Sequence, residues 1–144
     1  MDYTFNASLG HVSHNVAKLL GENFMKNARE ASIEISSTEW FVLSLLYHKS
    51  GCKQKDIKQS MNMNKVKLTR LLARMEEKQL IMRKTQKKDK RYKQVQLTDK
   101  GKELYLRAEP VAKETLNQAF EGFTPTEYVQ LMAYCNRVII NLSD

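Results

Sequence analysis

The chain has 144 residues, 42% of them apolar, enough for the packed core of one domain and too short to call for a second. Its 24 Lys and Arg against 16 Asp and Glu give a formal charge of +8, and the excess is confined: residues 53–93 hold 15 cations against 4 acids, while the remainder holds 9 against 12. Two cysteines are too few for a disulfide scaffold, no apolar run reaches membrane-spanning length, and Met1–Asn6 lacks the basic head and apolar run of a signal peptide. A cytoplasmic protein with reduced thiols is expected.

In chain order, Val12, Val16, Leu19, Leu20 and Phe24 recur at the three-and-four spacing of a first helix within His11–Ser32, with one buried stripe. Ser36 with Glu39 three residues on forms a capping box, after which Trp40, Leu43, Leu46 and Tyr47 supply the apolar face of a second helix that Gly51 ends. A short helix around Ile57 covers 54–61. A stronger pattern from Asn64 to Lys78 buries Leu68, Leu71, Leu72 and Met75, and two helices joined so briefly make a helix-turn-helix. From Leu80 to Thr85 and from Gln94 to Thr98 the period falls to two, which predicts a hairpin whose tip is Lys87-Lys88-Asp89-Lys90-Arg91. Thr98 caps a helix over 99–120 that Pro110 should kink or divide. Thr124-Pro125-Thr126-Glu127 starts the last helix, with Tyr128, Leu131, Cys135, Val138 and Leu142 along one stripe.

This order is mainly α with a small β-hairpin wing: a winged helix-turn-helix over 36–98, flanked at 1–35 and 99–144 by helices read as dimerisation helices, the alternative being that they cover the winged region within one subunit, all in one domain over 1–144. A two-fold dimer would set two recognition helices about 34 Å apart and so predicts a pseudo-palindromic site on double-stranded DNA. An advance of 100° per residue puts Val66, Thr69, Arg70 and Ala73 opposite the buried stripe of 64–78. Arg70 can pair with a guanine edge, and Val66 and the Thr69 methyl can meet thymine methyls. Lys67 and Arg74 lie two turns apart on a flank and suit phosphates, Lys65 sits at the positive end of the helix dipole, and Lys78 adds a fifth cation. Arg91 suits a narrow minor groove, and Asp89 is expected to accept hydrogen bonds from Arg91 or from turn amides.

These residues carry a resemblance to the MarR family of bacterial transcriptional regulators. Leu68-Thr69-Arg70-Leu71-Leu72 with Arg74, Leu80-Ile81-Met82-Arg83, Asp89-Lys90-Arg91 and Val95-Gln96-Leu97-Thr98-Asp99-Lys100-Gly101 follow its pattern in order and spacing. Thr38-Glu39-Trp40-Phe41-Val42-Leu43 and Thr124-Pro125-Thr126-Glu127 are similar to its second-helix and last-helix starts. The resemblance implies a homodimer with interlocked first and last helices, a recognition helix in the major groove using Thr69, Arg70 and Arg74, and a wing using Asp89 and Arg91 in the minor groove. It also implies repression relieved by a small phenolic or lipophilic effector. One departure is Gln79, where the family usually has Gly, and it points to a different helix exit.

For sensing, Trp40 and Phe41 are candidate effector contacts, together with Tyr3 and Phe5, though all four suit a core equally well. Cys52 lies in a predicted loop beside Lys49 and Lys53, cations that lower a thiol pKa, so it is a candidate redox switch or an inert loop thiol. Cys135 reads as core. His11 and His14 share a helix face at ligand spacing but lack a third ligand, so no metal site is expected, and no cofactor either. The chain lacks a Ser/His/Asp or Cys/His constellation, paired carboxylates and a Gly-rich phosphate loop, which argues against an enzyme. The competing functions are a winged-helix module binding nucleic acid without sequence selectivity, architectural or RNA-associated, and a protein-interaction adaptor.

Overall fold

The computed structural model describes residues 1–49, 51–86 and 89–143, and for residues 85, 86 and 89–93 the backbone alone. A 3₁₀ turn at Phe5–Ala7 leads into α1 (Leu9–Glu30), followed by α2 (Ser37–His48), β1 (Cys52–Lys53), α3 (Gln54–Met61), α4 (Lys65–Glu77), β2 (Ile81–Gln86), β3 (Asp89–Leu97), α5 (Asp99–Ala119) and α6 (Pro125–Leu142). The three strands form one antiparallel sheet in the order β1-β3-β2, with Cys52 opposite Val95 and Ile81 opposite Leu97. β1 was not foreseen, since two residues carry no period. α5 runs unbroken through Pro110, so of the kink or division expected there the division does not occur.

The starts of α2, α4, α5 and α6 each have a side-chain cap. The Ser36 hydroxyl accepts from the Glu39 amide at 3.1 Å and the Asn64 side chain accepts from Val66 at 2.8 Å. Thr124 and Glu127 exchange both bonds of a full capping box, at 3.2 and 2.7 Å. The box expected at Ser36 forms only half: the Glu39 carboxylate turns away and takes the Lys78 ammonium at 3.1 Å, tying the start of α2 to the end of α4.

The core gathers Val42, Leu43 and Leu46 of α2, Ile57 of α3, the Leu68, Leu71, Leu72 and Met75 stripe of α4, and Ile81 and Val95 of the sheet. This buried stripe turns the opposite side of α4 outward. The first turn of α5 is seated against the exit of α4: the Thr98 hydroxyl caps the Gly101 amide at 3.0 Å and donates to the Gln79 carbonyl at 2.5 Å. A Cβ built on Gly101 would lie 2.1 Å from the Leu80 carbonyl oxygen, which is why the Leu-Thr-x-x-Gly run needs its glycine.

Two expectations for the outer helices change. The stripe of α1 is buried only towards its C-terminal end, at Phe24 and Ala28, while Val12, Val16 and Leu19 are bare. α6 buries none of its residues, and Cys135, expected in the core, is exposed on it. The period of each helix was right. No described residue covers these faces.

Candidate nucleic-acid interface

On α4 the sequence's two faces separate as expected. Lys65, Val66, Lys67, Thr69, Arg70, Ala73 and Arg74 are exposed, and Val66, an aliphatic side chain, is 58% so. None of the four cations is ion-paired with a described residue, so each retains its charge for an outside partner. Lys78 does not belong with them, because its ammonium is committed to Glu39. Arg83 on β2 is likewise held, by Glu76 at 3.4 Å. The first turn of α4 contains no acid, so its dipole adds to the attraction for an anion.

The wing residues Lys87 and Lys88, and the side chains of Asp89, Lys90 and Arg91, lie outside the described residues. The described pairing runs from Ile81 opposite Leu97 to Gln86 opposite Asp89, with an irregularity between Thr85 and Gln86. The wing therefore springs from the core end of α4. Gln79, its first link, takes φ 61°, the left-handed turn a glycine would take, and its amide and that of Leu80 close the helix on the Glu76 and Met75 carbonyls, each at 2.9 Å. The exit is thus the ordinary one, against the expectation drawn from the missing glycine.

A cavity of about 330 Å³ opens between α1, α2 and α5, lined by Leu20, Phe24, Trp40, Phe41, Ala112 and Leu116, with Ser37 and Thr115 among its few polar groups and no charged residue. Trp40 is held by rings on both sides: Phe24 at 5.6 Å and Tyr105 stacked at 5.2 Å. Two of the four aromatic candidates, Trp40 and Phe41, therefore share this wall. Tyr3 and Phe5 are exposed near the N-terminus, where Phe5 packs on His11 at 4.2 Å.

Cys52 is 6% exposed and paired into the sheet rather than looped. Burial pushes its thiol up, Lys49 lowers it by less and Asp56 raises it again, so the expected cationic activation exists but loses to desolvation. A redox role has no support from this placement.

Sequence reasoning missed Glu39 as the partner of Lys78, and missed Gln54, whose amide nitrogen donates to the Thr69 hydroxyl at 3.1 Å. Neither side chain falls in a periodic pattern, and both bonds cross between helices.

Comparison with known proteins agrees with this geometry. The family model described as the MarR family matches residues 35–93. An uncharacterized HTH-type transcriptional regulator of Bacillus subtilis (strain 168), YdgJ, is 34% identical over 88 residues, 61% of this chain and 51% of that protein, so the matched part spans about half the relative's length. A MarR/EmrR family transcriptional regulator from Acinetobacter sp. ADP1 superposes with a TM-score of 0.81 over 92% of both chains at 26% identity. Bordetella bronchiseptica BpsR, whose DNA binding is regulated by 6-hydroxynicotinic acid, superposes with a TM-score of 0.85 over the whole of both chains at 19% identity, a likeness of fold. The winged region thus matches the MarR family model, and the whole chain shares its fold with regulators of known structure.

Proposed function

We propose that this chain is a sequence-specific DNA-binding transcriptional regulator, a repressor that grips a pseudo-palindromic operator as a homodimer and lets go when a small molecule binds. The observation that carries the reading is the outer face of α4, where Val66, Thr69 and Arg70 stand exposed between cations that no described residue neutralises. A module that only neutralised phosphate would gain nothing from an aliphatic side chain held in water at that place, whereas a thymine methyl gives it a partner. Residues 36–98 are the DNA-binding region in this reading, with Lys87, Lys88, Asp89, Lys90 and Arg91 completing the grip.

Residues 1–35 and 99–144 serve dimerisation. Support comes from the bare apolar faces of Val12, Val16 and Leu19 on α1 and of Val129, Ile139 and Ile140 on α6, too extensive to leave in water. The effector enters the cavity beside Trp40 and Phe41. At about 330 Å³, without a charged side chain in its lining, the cavity suits a compact, uncharged, lipophilic molecule. Occupation would push α2 away from α1 and α5, and the Glu39–Lys78 bridge would pass that shift to the foot of α4.

Selection from random duplex DNA at near-physiological salt tests the reading. A pseudo-palindrome is expected. Unselective retention would instead make the chain an architectural binder, and no retention an adaptor.

A further inference from the structure

Thr69 stands at the centre of the reading face of α4, yet its hydroxyl is not free to read. The single hydroxyl proton is donated to the Lys65 carbonyl at 2.8 Å, and the oxygen accepts from the Gln54 side-chain nitrogen at 3.1 Å. Because that proton is already spent, the Gln54 atom facing Thr69 has to be the donor, and hydrogen-bond chemistry fixes which way the carboxamide points. Gln54 is the first residue of α3, so a side chain from the preceding helix is laid on Thr69, on the exposed face of the recognition helix that also carries Val66 and Arg70. One amide hydrogen and the carbonyl oxygen remain, and no described residue takes either.

From this geometry we infer that Gln54, oriented by Thr69, is a specificity-determining residue that reads an adenine in the major groove. The inference rests on the DNA-binding reading above. A donor and an acceptor side by side in one plane complement the adenine N7 and N6 positions. A phosphate would use the N–H and leave the carbonyl oxygen facing a negative charge, so the base edge is the better partner for the whole group. Holding the amide in place beforehand also lowers the conformational entropy lost on binding, since a glutamine side chain is otherwise among the most mobile.

The test repeats the random-duplex selection with wild type, Gln54→Ala, Gln54→Glu and Thr69→Val. Wild type should favour adenine at one position of each half-site by roughly 5- to 150-fold. Gln54→Ala should flatten that position and spare the others. Gln54→Glu, which accepts but cannot donate, should move the preference to cytosine, a result no structural role would produce. Thr69→Val keeps the shape but releases the amide, and should blunt the same position. Unchanged preferences in Gln54→Ala, or an even loss of affinity over all sequences, would overturn the assignment. Full selectivity in Thr69→Val would break the pair. A wild-type chain that enriches no motif would remove the regulator reading itself.

Discussion

Replacing Gln79 by glycine should make the protein more stable. The residue closes α4 with φ 61°, and both capping bonds, Gln79 to Glu76 and Leu80 to Met75, require that left-handed turn. For a side chain with a Cβ this conformation costs about 1–2 kcal/mol, whereas glycine enters it freely. The Gln79 side chain is exposed, so no packing is lost, and its carbonyl remains in place to accept from Thr98. Against the gain stands the larger entropy of glycine in the unfolded chain, about 0.5–1 kcal/mol. The net is a stabilisation of about 0.5–1 kcal/mol, or a rise in Tm of about 1–4 °C for a chain of this length. Asn62 closes α3 with φ 47° and is the internal control: asparagine tolerates the conformation, so Asn62→Gly should gain less. Urea unfolding at a fixed protomer concentration, with calorimetry alongside, reads both variants. A Gln79→Gly midpoint at or below wild type would show that Gln79 holds its left-handed turn without strain.

Gly101→Ala should cost about 1–3 kcal/mol or more by urea unfolding, because the new methyl meets a backbone carbonyl that cannot step aside. Lys78→Met should destabilise more than Glu39→Gln, by about 1 kcal/mol or more, since the first strands a buried carboxylate and the second leaves a half-exposed ammonium that water can solvate; equal losses would contradict the bridge as described. Burial raises both Cys52 and Tyr105, so the folded chain holds these protons more tightly than the unfolded one, and stability should hold below about pH 9 and decline as pH rises through each folded pKa. A urea midpoint that stays level from pH 9 to 11 would refute this, and Cys52→Ala should make the decline shallower. In binding assays Arg70→Ala should cost about 1–3 kcal/mol and relax one base position, while Lys67→Ala should weaken all sequences alike and lower the salt slope by about 1.

The inner fold was legible because its signals are periodic. The leucine stripe of α4, the alternation around Val95 and the Thr124-Pro125 start each repeat a local rule, and α3 fell within the expected residues. What escaped the sequence was relational. Glu39 obeys the capping-box rule in spacing and breaks it in geometry, because Lys78, 39 residues away in the chain, offers a stronger partner. Cys52 was weighed by the cations beside it in sequence, whereas the sheet that buries it decides its chemistry. The apolar stripes of α1 and α6 were visible, but periodicity cannot say whether the covering surface is the same chain or another. On α4 the exposed face was found correctly, and the occupant of the Thr69 hydroxyl was not, since Gln54 reaches it from a different helix.

If two copies act as one reader, sedimentation must show it in the mass of the protein, free and on the selected duplex. Free protein should sediment at twice 16.8 kDa at working concentrations, and the complex should hold two chains per operator. Ile140→Glu, a charge placed on a bare face of α6, should shift the free protein towards a single chain and weaken operator binding with it. A wild-type mass of one chain, or one chain on a full operator, would mean that a single copy reads DNA by itself.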